Sequence, residues 1–135
     1  RCLNSMKINL LFFYFSFNLN CFKIKKMTLE HQPCETVDWS SITKEEHTGI
    51  SGKAYWQTFN QGDIRIRMVE YSACYVADHW CNKGHIILCL TGEMTTELKD
   101  GRKFILKEGM TYHVGDESDA HRSSSANGCK LFIVA

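Results

Sequence analysis

Most of this sequence consists of short runs of β-branched and aromatic residues separated by turn-forming residues. Closely spaced runs of this kind are typical of an antiparallel sandwich or barrel. The clearest turn is Asp100-Gly101, which supplies the positive φ angles that a two-residue hairpin needs. The sequence therefore predicts an all-β domain with enough strands for one small barrel. The eight predicted strands are 54–59, 63–71, 75–81, 85–90, 93–98, 103–106, 110–114 and 130–134.

One segment favours a helical turn instead of a strand. Ser40 or Ser41 would serve as its N-cap, and an acidic residue, Glu45 or Glu46, follows. The sequence therefore predicts a short helical turn over residues 41–46, as a minor element.

The length and charge of the chain narrow the function classes. A chain of 135 residues matches one ordinary domain with a single core. Its 16 basic and 15 acidic side chains nearly cancel, so no net field draws nucleic acid or an anionic membrane toward it. We therefore expect neither a nucleic-acid partner nor a membrane partner.

The cysteines indicate a reducing compartment. There are seven of them, an odd number, and the chain is long enough to build a core without disulfides. We therefore expect free thiols in a cytoplasmic protein. Four cysteines, Cys34, Cys74, Cys89 and Cys129, lie in or beside apolar runs, where a free cysteine usually packs as a small hydrophobe.

The first 26 residues differ from the rest, because they include an apolar, aromatic and asparagine-rich stretch. As a signal peptide this stretch lacks a small-residue cleavage site, and its apolar part, Leu10 to Phe17, is too short to span a membrane. We favour a non-native or disordered extension over residues 1–26, followed by one folded domain over residues 27–135. If the stretch is genuine and retained, it would add an edge strand or a dimer contact.

The segment from Asp78 to His85 carries the most informative polar residues. In a strand, alternate side chains share a face, so His79 and Cys81 would project to the same side. Residues 82–84 would form a tight turn, and an antiparallel return would place His85 about 4.5 to 5.5 Å from Cys81 between Cβ atoms. The pattern predicts three converging donors. By itself such a short spacing also arises by chance, with an inert packed cysteine.

A fourth donor would come from far along the chain. His121, after the acidic loop 116–120, is the best candidate. Imidazole and thiolate donors suit tetrahedral Zn²⁺, or Fe(II), Ni(II) or Co(II) where a coordination position stays open. They do not suit Ca²⁺ or Mg²⁺, which bind oxygen.

The same spacing resembles the first motif of the cupin superfamily, which has glycine, two histidines, glutamate and a second glycine at fixed intervals. The corresponding positions here are Ala73, His79, Cys81, His85 and Gly92. The last histidine of the second cupin motif would fall on His121. The part from Val37 to Ala135 is most similar to a group of bacterial cupins with an Asp-His-Trp-Cys segment.

The resemblance implies a small single-domain, jelly-roll-like β-barrel with a metal inside and a mouth for a small-molecule ligand. It also implies a homodimer. Two ligand positions differ from the family, a histidine replaced by Cys81 and a glutamate replaced by His85, and these changes favour zinc. Metal binding is therefore a firmer expectation than any one reaction.

Three functions remain open on the sequence. The first is a metal-dependent oxygenase, isomerase or lyase that acts on a small organic acid. The second is a non-catalytic ligand-binding domain, and the third is a domain whose metal is purely structural. Arg65, Arg67 and Tyr71 share one strand parity, so they form either a pocket for a carboxylate or a solvated face. The predicted metal ligands are His79, Cys81, His85 and His121.

Overall fold

The antiparallel strands predicted from the sequence make up most of a computed structural model, which describes residues 31–135. The predicted extension over residues 1–26 and the domain start at residue 27 lie outside these residues. A short 3-10 helix, η1, precedes the strands. The elements are η1 (Trp39–Ser41), β1 (Glu45–Thr48), β2 (Lys53–Gln61), β3 (Ile64–Val76), β4 (His85–Leu98), β5 (Lys103–Lys107), β6 (Thr111–Val114) and β7 (His121–Val134).

All strand pairs in the described part are antiparallel, in the order β1-β2-β3-β7-β4-β5, with β6 paired to β4. β4 has β7 along one side, and on its other side β6 and then β5. The sheet curves round its own core, and β1 and β5 remain as unpaired ends. The all-β prediction is confirmed, and the barrel is open rather than closed by hydrogen bonds.

The three longest strands are longer than the sequence predicts. The run 63–71 continues to Val76 as β3, which includes only the first two residues of the predicted strand 75–81, and the runs 85–90 and 93–98 merge into β4. The predicted break at Thr91-Gly92 is an irregularity within β4, where the register with β7 shifts and Gly92 has a φ of 80°. Because β7 pairs on both sides of this point, a bulge absorbs the turn signal.

The predicted helical turn over residues 41–46 is wrong. Asp38 caps η1 instead, and its Oδ1 accepts hydrogen bonds from the Ser40 backbone N–H at 2.9 Å and from the Ser40 hydroxyl at 2.7 Å. Glu45 to Thr48 then form β1, in which Glu45 lies opposite Trp56. Pairing with the neighbouring strand outweighs the weak helical signal.

The hairpin predicted at Asp100-Gly101 is present between β4 and β5. Its turn is wider than predicted, because the Leu98 backbone N–H donates to the Arg102 carbonyl at 2.9 Å across three residues. Only Gly101 adopts a positive φ, of 91°, while the Asp100 carboxylate accepts from the Arg102 backbone N–H at 3.0 Å.

The main core lies between the curved halves of the sheet. It contains Val69, Ile87, Cys89, Met94, Leu106, Cys129 and Leu131. Cys89 and Cys129 therefore pack as hydrophobes, as predicted. Cys34 and Cys74 do not, because both are exposed. The five described cysteines are all free thiols.

Candidate metal centre

The predicted ligand segment is a loop rather than a strand. β3 ends at Val76, and residues 77–84 have no regular structure apart from an isolated bridge between Cys81 and His121. In this bridge the Cys81 N–H donates to the His121 carbonyl at 2.8 Å, and the His121 N–H donates back at 3.0 Å. Cys81 is therefore placed by its direct pairing with the start of β7, and not by the alternation of side chains along a strand.

A second loop holds the first in place. The Gly84 backbone N–H donates to the Asp116 carboxylate at 2.7 Å, and the Glu117 N–H donates to the Asn82 carbonyl at 2.9 Å. A Cβ atom at Gly84 would lie 2.7 Å from the Asp116 backbone nitrogen, so only glycine allows this approach. The acidic loop before His121 thus fixes the segment that carries Cys81.

Three of the four predicted ligands converge. The ligand atoms of Cys81, His85 and His121 all lie within 4.8 Å of one another. His85 begins β4 and His121 begins β7, so the two imidazoles come from separate strands of the sheet. Their Nε2 atoms are 2.8 Å apart, and the His121 residue is only 1% exposed.

Polar neighbours orient both imidazoles. The His121 Nδ1 lies 2.8 Å from the Asp119 carbonyl, which can only accept, so Nδ1 carries a proton and Nε2 faces the cluster. The His85 Nε2 lies 3.0 Å from the Tyr112 hydroxyl. The Asp119 contact is on the far side of the His121 ring, where a hydrogen bond commonly fixes the tautomer of a ligating histidine. The Tyr112 hydroxyl instead contacts the same His85 nitrogen that faces His121.

The electrostatics of Cys81 and His85 suit metal ligation. Burial lowers the pKa of His85 to about 4, with help from His121 and Arg65, so its imidazole is neutral at pH 7. The hydrogen bond with His121 lowers the pKa of the Cys81 thiol despite partial burial. The same interaction raises the pKa of His121. A neutral imidazole and a thiolate are the forms that bind transition metals.

His79 is placed differently from the other three. Its side chain is 62% exposed, and its Nδ1 lies 2.6 Å from the Asp78 carboxylate. His79 still lines the same cavity as Cys81, His85 and His121, but outside their cluster.

A cavity of about 320 Å³ opens beside the cluster. Arg65, Arg67 and Tyr71 all line it, so their shared parity points inward and they are not a solvated face. The other lining residues are Trp56, Tyr75, Ala77, His79, Cys81, Lys83, His85, Ile87, His121, Arg122, Ser123, Ile133 and Ala135.

Sequence reasoning missed the neighbours that orient the two imidazoles. Tyr112 lies on β6, and it contacts His85 because β6 pairs with the first half of β4. The Asp119 partner of His121 is a backbone carbonyl, which leaves no residue-type signal. Trp80 is half-buried, and the Arg122 guanidinium carbon lies 4.7 Å from its ring centre.

The donor set fits a tetrahedral metal. With Zn–N near 2.0–2.1 Å and Zn–S near 2.3 Å, tetrahedral geometry requires ligand atoms roughly 3.3 to 3.6 Å apart. The 2.8 Å separation of the two Nε2 atoms and the 4.8 Å limit for the whole set bracket this range. Small shifts of these side chains would therefore bring all three donor atoms to bonding distance of one metal ion.

No helix in the described part is long and apolar enough to cross a membrane. No protein-family model matches the sequence, and no curated protein matches it either.

Solved structures share the fold of this chain. A predicted oxalate decarboxylase from Thermotoga maritima is 15% identical with a TM-score of 0.63, covering 74% of this chain and 96% of its own. Ectoine synthase from P. lautus is 13% identical with a TM-score of 0.61, covering 75% and 76%. A sugar phosphate isomerase of the cupin superfamily from Silicibacter pomeroyi is 11% identical with a TM-score of 0.57, covering 74% of each chain. The chain therefore has the fold of the cupin superfamily.

Proposed function

We propose that this protein is a metal-binding cupin that holds a divalent transition metal, most favourably zinc, through Cys81, His85 and His121. The observation that carries the proposal is the convergence of one thiol and two imidazoles within 4.8 Å, beside a cavity. One thiolate and two imidazoles are borderline-to-soft ligands, which favour Zn²⁺ over Ca²⁺ or Mg²⁺. Fe(II), Ni(II) and Co(II) are the other candidates.

Three protein ligands would leave one tetrahedral position for water or a bound molecule. His79, the fourth predicted ligand, stays a candidate for that position because it lines the same cavity. It would have to exchange its 2.6 Å contact with Asp78 for the metal. A four-ligand site would be closed and structural, whereas a three-ligand site is the arrangement of catalytic zinc.

A metal-dependent reaction on a small organic acid is the second candidate function. The cavity beside the three donors favours it, because a bound metal with an open position polarises an oxygen ligand or lowers the pKa of bound water. The structural neighbours carry the names of a decarboxylase, a synthase and an isomerase, so the shared fold does not select a reaction. The two non-catalytic alternatives, a metal that only binds a ligand and a metal that only cross-links the two loops, would use the same three donors.

We extend the proposal to a cytoplasmic homodimer. The free thiols of the five described cysteines support a reducing compartment. β5 is an end strand with two exposed apolar residues, Phe104 and Ile105, and it would supply the dimer contact. Light scattering coupled to size-exclusion chromatography should give twice the chain mass, and the chain mass alone would refute the dimer.

Elemental analysis of protein purified without added metal tests the metal site. Wild-type protein should carry one transition metal per chain, and Cys81→Ser and His121→Ala should each lose it. His113→Ala is the matched control, because His113 is an exposed histidine outside the cluster. Absence of metal from wild type, even after incubation with zinc, would refute the proposal.

The variant His79→Ala separates the two coordination schemes. An unchanged zinc content and affinity would identify a three-ligand site with an open position. A loss as large as that of His121→Ala would identify a closed four-ligand site and would refute the catalytic alternative.

A further inference from the structure

Arg65 is a charged side chain of the cavity whose Nε has no hydrogen-bond partner among residues 31–135. Its Nε is buried. Its backbone is fixed, because the Arg65 N–H donates to the Ala135 carbonyl at 2.7 Å and the Arg65 carbonyl accepts from the Ala135 N–H at 2.9 Å. A buried guanidinium donor with no acceptor is costly unless a ligand satisfies it.

The other two arginines of the cavity are already engaged. The Arg67 Nε donates to the Thr58 hydroxyl at 3.1 Å, and its guanidinium carbon lies 4.3 Å from the Trp56 ring centre. Arg122 donates to the Glu97 carboxylate at 3.1 Å. Arg65 is therefore the arginine of this cavity that is available to a ligand.

The charge of the cavity favours an anion. No acidic side chain is among the described residues that line it, whereas Lys83 and three arginines are. Arg65, Lys83 and His85 also line the adjoining groove, so Arg65 lies next to the proposed metal ligands on the path to solvent. The groove, unlike the cavity, also has acidic lining residues, Asp63 and Asp116. A guanidinium binds a carboxylate through two parallel hydrogen bonds.

The rest of the cavity wall is apolar and largely aromatic. Trp56, Tyr71 and Tyr75 line it together with Ile87 and Ile133. The Tyr71 and Tyr75 rings are stacked with centres 4.1 Å apart, so they form a flat aromatic surface. At about 320 Å³ the cavity is at the lower end of the range for small-molecule sites.

We propose that this cavity binds a small organic carboxylate with a flat apolar body, whose carboxylate pairs with Arg65 and whose body packs against Trp56 and Tyr71. The proposal deepens the proposed function by naming the ligand class of the same cavity. Arg65 does not touch the metal, so carboxylate binding is expected with and without zinc. A guanidinium beside an apolar wall selects ligands of this class, which combine a carboxylate with an apolar body.

Calorimetric titration with benzoate and its neutral analogue benzamide tests this, on chelator-treated and on zinc-loaded protein. Wild type should bind benzoate at least about tenfold more tightly than benzamide, because only the carboxylate pairs with the guanidinium. Arg65→Gln should lose this preference, and Arg65→Lys should recover part of it. Arg102→Gln is the matched control, because Arg102 is an exposed arginine bonded to Asp100 outside the cavity.

Equal binding of benzoate and benzamide by wild type, or unchanged benzoate binding by Arg65→Gln with an intact circular dichroism spectrum, would overturn the proposal. So would the absence of benzoate binding, or equal binding of inorganic phosphate, which would mean a general anion site. Benzoate selectivity that persists in Cys81→Ser supports the role of Arg65 while the zinc assay on the same variant tests the metal site. The two proposals therefore fail separately.

Discussion

Cys81 and Cys129 carry the same thiol in opposite surroundings. Cys129 lies in the apolar core beside Cys89, and burial raises its pKa to about 11. Cys81 lies in a half-buried loop, where the hydrogen bond with His121 lowers its pKa. The first thiol stays protonated and packs as a small hydrophobe, whereas the second is prepared to act as a thiolate.

The difference comes from what each backbone segment touches. Cys129 belongs to a continuous strand, in which it pairs with Tyr71 on β3 and with Gly92 on β4. Cys81 belongs to a loop outside the regular ladders, where an isolated bridge pairs it with His121, and so it faces polar groups. The core region should therefore govern stability, and the loop region should govern chemistry.

The largest expected effect is on stability, in the core. Leu131 is completely buried in the same cluster as Cys129, so Leu131→Ala should lower the free energy of unfolding by about 2 to 5 kcal/mol. Urea unfolding measures this, with Ile50→Ala, at a residue that is 64% exposed, as the control expected within about 0.5 kcal/mol of wild type. If Leu131→Ala folds but carries less zinc than wild type, the proposed separation of core stability from metal binding is wrong.

The next effect is on thiol reactivity. In metal-free protein at neutral pH, Cys81 should react with iodoacetamide more than about 100-fold faster than Cys129, because their pKa values lie on opposite sides of the ordinary value. Mass spectrometry of each peptide measures both rates in one sample. Denaturation in urea should remove the difference, and added zinc should protect Cys81 alone. Equal rates in the folded protein would contradict the comparison.

A smaller effect is the pH dependence of stability in metal-free protein. The pKa of His85 is lowered to about 4, so its contribution to stability is complete above the ordinary value near 6.5 and is lost as the pH falls toward 4. We expect a loss of roughly 2 kcal/mol, less than the roughly 3 kcal/mol of a fully buried imidazole with the same shift. His121, whose pKa is raised, loses its contribution in the opposite direction, as the pH rises above 6.5.

Urea unfolding at several pH values, on wild type and His85→Gln, measures this contribution. The variant should show a flatter profile between pH 6.5 and pH 4. An identical slope in the two proteins would assign the acid sensitivity to other groups.

The smallest expected effect concerns the Tyr112 hydroxyl, which lies 3.0 Å from the His85 Nε2. Tyr112→Phe should tighten zinc binding by a few-fold, because the hydroxyl hydrogen-bonds to the same His85 nitrogen that faces the cluster and so competes with the metal for it. Competition with a zinc-sensing dye measures the affinity. Tyr55→Phe, outside the cavity, is the matched control, and an equal change in it would deny Tyr112 a specific role.

Several features followed from the sequence because they depend on local chemistry. The alternation of apolar residues predicted an all-β fold, and Asp100-Gly101 predicted a hairpin between β4 and β5. The donor types of Cys81, His85 and His121 predicted that these residues suit one metal, although they come from distant parts of the chain. The donor chemistry is a property of the side chains, so it could be recognised before the structure.

Other features depended on neighbours that the sequence does not reveal. The break expected at Thr91-Gly92 is a bulge because β7 pairs across it. The strand expected up to Cys81 ends at Val76, since the Gly84 and Asp116 contact draws the loop toward β7. Long-range pairing competes with local preference, and the local pattern alone does not decide the outcome.

The sequence by itself determined the class of fold and the chemical types of the proposed metal donors, because hydrophobic periodicity and ligand softness are local properties. Only the tertiary structure decided that Cys81 joins His85 and His121, that His79 lies beside Asp78 instead, and that Arg65 faces the cavity. The placements of Cys81 and Arg65 depend on backbone contacts between residues 40 and 70 positions apart, Cys81 with His121 and Arg65 with Ala135. Such contacts form only when the whole sheet has assembled.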